Sequence, residues 1–153
     1  MSEIYFIRHG QASFGSDDYD RLSPLGVRQA NILARYLAKT GKTFDAVYHG
    51  EMERQQKTAD EFFNHYRENQ LAVPRPRMDD AFNEYDSVAV WEALIPEMTA
   101  EQPALAAELE MLPGDQKAFQ RVFSQVMNRW TRGEYKASDI PHWGDFTRRV
   151  VSG

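Results

Sequence analysis

The sequence predicts an α/β fold with a mostly parallel sheet flanked by helices. Three observations carry that expectation. Residues 4–7 form a short, nearly continuous apolar run, as in a strand buried on both faces. A second apolar run from Phe44 to Tyr48 follows the first helical pattern, and another helical pattern follows it. This strand–helix–strand–helix order favours parallel pairing through right-handed crossovers.

Length and composition set the bounds. The 153 residues fit one domain with a sizeable core. There are no cysteines, which excludes disulfides and thiolate metal or nucleophile sites. Ser2 and Glu3 lead straight into the first apolar run without a signal-peptide pattern, and no apolar run approaches the roughly 18 residues of a membrane span. A cytoplasmic protein without membrane partners is expected. The net charge of −5 argues against a nucleic-acid binder. A small anionic ligand needs only a local cluster of arginines.

The elements follow in order. Ser23-Pro24 reads as a helix N-cap followed by proline at the first helical position. Leu25, Ile32, Leu33, Tyr36 and Leu37 supply an apolar stripe, and Gly41 is a helix stop. A second helix is expected from about Met52 to about Arg67, with Ala59, Phe62, Phe63 and Tyr66 inward. After Pro74 and Pro76 the character changes. Residues 88–131 look helical, interrupted at Pro96, Pro103 and Pro113-Gly114. Phe119, Val122, Phe123, Val126, Met127 and Trp130 form a long stripe whose plain reading is core packing. A last helix starts near Gly144 and runs to the chain end. Two strands are few against the usual five or six or so of a sheet. A C-terminal part is therefore expected to be absent.

The chemistry concentrates at Arg8-His9-Gly10. In open parallel α/β sheets, ligands bind beyond the carboxyl ends of the strands, where these residues fall if 4–7 is a strand. A guanidinium matches phosphate with a planar fork of donors. A neutral imidazole can attack phosphorus or act as a general base. Glycine allows a sharp turn and close backbone approach. The plain alternative is a satisfied histidine beside a surface arginine. His49-Gly50 follows the second strand, and Arg54 sits on the first turn of the next helix, near an N-terminus that favours anions. Arg54 alone would read as a solvated helix residue.

Together these blocks resemble the histidine phosphatase superfamily, the phosphoglycerate-mutase-like group. Arg8-His9-Gly10 after an apolar strand is similar to its signature. Asp20-x-Leu22-Ser23-x-x-Gly26-x-x-Gln29-Ala30 and Arg54-x-x-x-Thr58-Ala59 are similar to its next two patterns. The resemblance implies a three-layer fold in one domain over residues 1–153, with residues 88–131 as a helical insertion. It implies His9 as the phosphorylated nucleophile, with Arg8 and Arg54 holding the phosphoryl oxygens. The general acid falls best on Glu84, with Asp79, Asp80 and Asp86 as competitors. Gly10, Gln11, Ser13 and His49 are assigned to substrate binding, His49 as a pocket-edge residue. No metal or other cofactor is implied.

Three departures stand out. Gly15 occupies a position that is often asparagine, and Gln11 one that is often glutamate or threonine. The family's second active-site histidine, on a later His-Gly strand, does not appear before Gly153. His65 reads as a surface residue and His142 as a loop residue. The leading expectation is a metal-independent phosphomonoesterase acting on a small phosphorylated substrate or a phosphoprotein. A phosphoglycerate mutase and a non-catalytic phosphate-binding domain are the alternatives. Open sheet edges and exposed apolar surface imply self-association as a homo-oligomer, which scattering or sizing would test.

Overall fold

The computed structural model describes residues 2–13, 20–112 and 114–153. Gly15 and Pro113, both singled out above, lie outside them. The chain packs as two compact units, Met1–Asn83 and Glu84–Ser152.

In the first unit, α1 (Pro24–Lys39) lies against α2 (Glu53–Glu68). Helix α1 starts where the sequence places it. Ser23 Oγ accepts the Gly26 N–H at 3.0 Å, and Pro24 supplies its fixed φ at the first position. Thr40 caps the end, and Gly41 follows with φ +71°, which glycine adopts without strain.

The buried face of α1 is the predicted one only in part: Leu37 is buried and Leu33 packs beside it. Gly26, Ala30, Ala34 and Leu37 are buried, while Leu25, Ile32 and Tyr36 are 49%, 59% and 62% exposed. The inward row consists mostly of small residues that let α2 approach closely. Its counterpart on α2 is Arg54, Thr58, Phe62 and Tyr66. Ala59 and Phe63, predicted inward, sit half-buried beside that row. Phe62 and Tyr66 stack at 4.6 Å, Phe44 meets both edge-on, and the Tyr66 hydroxyl donates to the Lys42 carbonyl at 3.0 Å.

The predicted strand over residues 4–7 is not formed. Ile4 and Phe6 are 80% and 87% exposed, while Tyr5 leans edge-on against Phe44 at 5.7 Å. One side of the segment meets packed groups. The layer and neighbouring strand that would bury the other side are absent among the described residues. The sheet consists of β1 (Tyr48–His49) and β2 (Arg77–Met78), which pair in parallel. The ladder includes Arg77 N–H to Val47 O at 3.0 Å and Asp79 N–H to His49 O at 2.9 Å. β1 is thus shorter than the run predicted from Phe44, whose ring goes to the helix core instead. The α/β class holds, carried by many helices and one short parallel pair.

The second unit contains α3 (Ser87–Glu101), α4 (Ala104–Glu110), α5 (Gln116–Arg132) and α6 (Trp143–Ser152). Asp86 and Asp115 cap α3 and α5 through their carboxylates. Pro96 lies inside α3 and does not interrupt it as predicted. Val90, Leu94, Met98, Leu105, Val122, Val126, Trp130 and Ile140 form the core. The α5 stripe splits: Val122, Val126 and Trp130 enter this core, whereas Phe119 and Phe123 stack on Trp91 at 5.8 and 6.4 Å. His142 lies in a loop as expected, with Nδ1 2.8 Å from the Tyr135 hydroxyl.

Among the described residues, no helix is long and apolar enough to cross a membrane.

Candidate active site

The site forms where the residue 9–13 loop meets the start of both helices of the first unit. Gly10 is buried against Gly26, and a Cβ on either would strike the other's backbone or that of Gln11. That close approach explains why both blocks carry glycine. Residues 11–13 then pair antiparallel with residues 21–23. Ser23 N–H donates to Gln11 O and Ser13 N–H to Arg21 O, each at 2.8 Å, around the Ala12–Leu22 bridge. Gln29, from the first turns of α1, accepts the Gln11 N–H at 2.9 Å. Gln11 and Ser13 are thereby fixed through their backbones.

Thr58 joins this loop to α2. Its hydroxyl accepts the Gly10 N–H at 3.0 Å and donates to the Arg54 carbonyl at 2.7 Å. The Arg54 side chain is 7% exposed, not solvated, and its described partners include Asp20 and His9. Its Nη1 donates to Asp20 Oδ1 at 2.8 Å, and its Nε donates to His9 Nε2 at 3.3 Å.

The protonation of His9 follows from what surrounds it. The Gly10 carbonyl, 2.7 Å from Nδ1, can only accept, so Nδ1 carries the proton. The guanidinium Nε–H can only donate, so Nε2 presents its lone pair. Two separate partners thus demand the same neutral tautomer. The nitrogen with nucleophilic capacity faces a fixed positive charge.

Asp20 is as constrained as Arg54. Its Oδ2 accepts the Glu53 N–H at 2.7 Å, and its Oδ1 accepts the Arg54 N–H at 3.4 Å. The α2 N-cap residue, Met52, makes no side-chain cap bond. A carboxylate some thirty residues upstream therefore satisfies two of the helix's first donors.

Arg8 is exposed and makes no hydrogen bond or ion pair among the described residues. With Ile7, His9, Gln29, Leu33 and Thr58 it borders a cavity of about 250 Å3 whose wall includes neither Arg54 nor Asp20. His49, at the end of β1, shares half of the His9 pattern: Nδ1 lies 2.7 Å from the Gly50 carbonyl, which calls for a proton on that nitrogen. Gly50 is tightly packed, for a Cβ there would strike Gln55 Oε1 and the Phe82 carbonyl. Glu84 is exposed and is the first residue of the second unit. Among the described residues, no group of three or more His, Asp or Glu side chains could hold a metal ion.

Of the predicted site residues, the first unit joins His9, Gly10 and Arg54 directly, and Gln11 and Ser13 through the loop backbone. Asp20, Thr58 and Gln29 had received no role, although all three stand inside the quoted motifs. Their signal was position within a pattern, and their functions follow only from the three-dimensional pairing.

The model of the histidine phosphatase superfamily (branch 1) matches residues 4–147. No curated protein and no solved structure matches the chain significantly. The matched span covers nearly the whole chain and takes in every residue of the His9–Arg54–Asp20 cluster. The chain belongs to the histidine phosphatase superfamily, whose members include phosphatases and mutases working through phosphohistidine.

Proposed function

We propose that the protein is a metal-independent phosphomonoesterase with His9 as its nucleophile. The observation that carries this reading is the doubly specified tautomer of His9. An imidazole held with Nδ1 protonated and Nε2 directed at a guanidinium is prepared to attack an electrophile that the same guanidinium attracts.

In the first step, a phosphoryl oxygen of the substrate takes over the Arg54 Nε–H, which frees the Nε2 lone pair, and Nε2 attacks phosphorus. The P–N bond forms as the P–O bond to the leaving alcohol breaks. Glu84 donates a proton to the departing oxygen. In the second step, water attacks the phosphohistidine. The P–N bond breaks, Glu84 takes the proton from water, and inorganic phosphate leaves. Arg54 and Arg8 stabilise the charge on the non-bridging oxygens in both steps. Gln11, Ser13 and His49 border the substrate. The substrate is a small phosphorylated molecule or a phosphoprotein. A cytoplasmic setting belongs to the same proposal.

The test is hydrolysis of para-nitrophenyl phosphate without added metal, between about pH 5 and pH 8, beside His9→Ala. Turnover by the parent that disappears in the variant supports the proposal. Equal turnover in both removes His9 as nucleophile. A phosphoryl group that stays on His9 until a second alcohol accepts it would point to a mutase.

A further inference from the structure

We propose that Asp20 is the positioning residue of the site: it holds Arg54 so that Nε, rather than another guanidinium nitrogen, meets His9. This rests on the phosphatase reading for its catalytic consequence, but its geometry stands alone.

A local conflict surrounds Arg54. Arg54 occupies the first turn of α2, where the helix dipole is positive and a cation is unfavourable. Its side chain is nearly buried, so its charge needs a partner. Asp20 resolves both difficulties. One carboxylate accepts two backbone N–H groups of the helix start and the Nη1 of the arginine. The guanidinium is a rigid plane. Once Nη1 is held on Asp20 and the backbone of Arg54 is held by the same carboxylate, the direction of Nε–H is set. That direction is toward His9 Nε2, at 3.3 Å.

Asp20 touches neither His9 nor the reacting phosphorus in this scheme, so its effect passes through Arg54. It also leaves the guanidinium partly neutralised before a phosphate arrives. The incoming anion shares an arginine already oriented by a resident carboxylate, which favours precise placement over strong ground-state attraction.

The experiment compares the parent with Asp20→Asn and Asp20→Ala. Imidazole 15N spectra are recorded on each, with His9 assigned by loss of its signals in His9→Ala. The parent should show His9 as the Nδ1–H tautomer. Asparagine keeps an oxygen that caps α2 but loses the charge on Arg54, so its His9 signals should move partway toward ordinary tautomer exchange. Alanine should move them further. Turnover of para-nitrophenyl phosphate should fall about tenfold in Asp20→Asn and about a hundredfold in Asp20→Ala. His9 signals unchanged in the folded variants would overturn the proposal. Failure of Asp20→Asn to fold would also overturn it, since the charge would then serve stability itself. A parent without turnover would defeat the phosphatase reading, while the spectra would still decide the role of Asp20.

Discussion

Gly10 and Gly26 meet backbone to backbone, with no room for a Cβ on either. Neither has a positive φ, so the requirement is for space and not for glycine's conformational range. Gly26→Ala forces apart the loop that carries His9 and the helix start that anchors it. The neighbouring atoms are backbone and cannot rotate aside. Overpacking of this kind costs about 1–3 kcal/mol. Urea denaturation should show a lower midpoint in Gly26→Ala, against the usual gain when alanine replaces glycine in a helix.

Thr58→Val tests the hydroxyl that joins loop and helix. The side chains are nearly isosteric, but valine leaves the buried Gly10 N–H without its acceptor. The expected loss is about 1–3 kcal/mol. Because Gly10 also carries the carbonyl that fixes His9, turnover should fall more than stability alone explains at a temperature where both proteins are folded.

Arg54→Lys keeps the charge and loses the fork. Lysine cannot engage Asp20 and His9 through separate nitrogens of one rigid plane. The kcat of phosphoester hydrolysis should drop about 100-fold or more, comparable with removing one preorganised donor from a charged transition state. An activity within a few fold of the parent would refute the two-point geometry.

Trp130 tests the second unit. It is fully buried, packs against Tyr85 and Trp143, and donates from Nε1 to the Pro141 carbonyl at 2.8 Å. Trp130→Ala should cost about 3–5 kcal/mol. Trp130→Phe keeps much of the packing and should cost less, chiefly the lost hydrogen bond, about 1 kcal/mol. Chemical denaturation of both variants reads the difference.

Acid should weaken the contact between α3 and α5. Glu101 receives two hydrogen bonds from Arg129, which hold its carboxyl below the usual value of 4.5. A carboxylate with a depressed folded pKa contributes stability that is fully present above the unfolded value. That contribution fades as pH falls below 4.5 and through the folded value. Thermal melting from neutral pH downward should show a smaller acid loss in Glu101→Gln than in the parent.

What the sequence made legible was local or chemical. Ser23, Pro24 and Gly41 delimited α1 because capping depends on neighbours in the chain. His9 and Arg54 were legible as candidates because few residue types can handle phosphate, and the structure brings the two side chains together. The inward face of α1 was read only in part, at Leu37: periodicity gives weight to large side chains, whereas Ala30 and Ala34 lie on the buried row and Gly26 is pressed against the backbone of Gly10 and Gln11. Residues 4–7 were taken for a strand because their composition suits one, but a strand also requires a neighbour. β2 was missed because two residues after a proline-rich turn carry no periodicity. Asp20 stood in a quoted pattern without a role because its partners lie on an element about thirty residues away.

The capping of α2 from that distance has a consequence for how the site comes into being. A helix that carries its own cap can form its first turn early. Here the first turn of α2 has no such provision, and its acceptor arrives only when the segment around Asp20 has docked. Arg54 and the neighbouring amides are thus ordered late, in one step with the loop that bears His9. Amide protons of Gly10, Glu53 and Arg54 should exchange with solvent as a single cooperative group. The chain therefore displays its assembled charge cluster only once the surrounding architecture is in place.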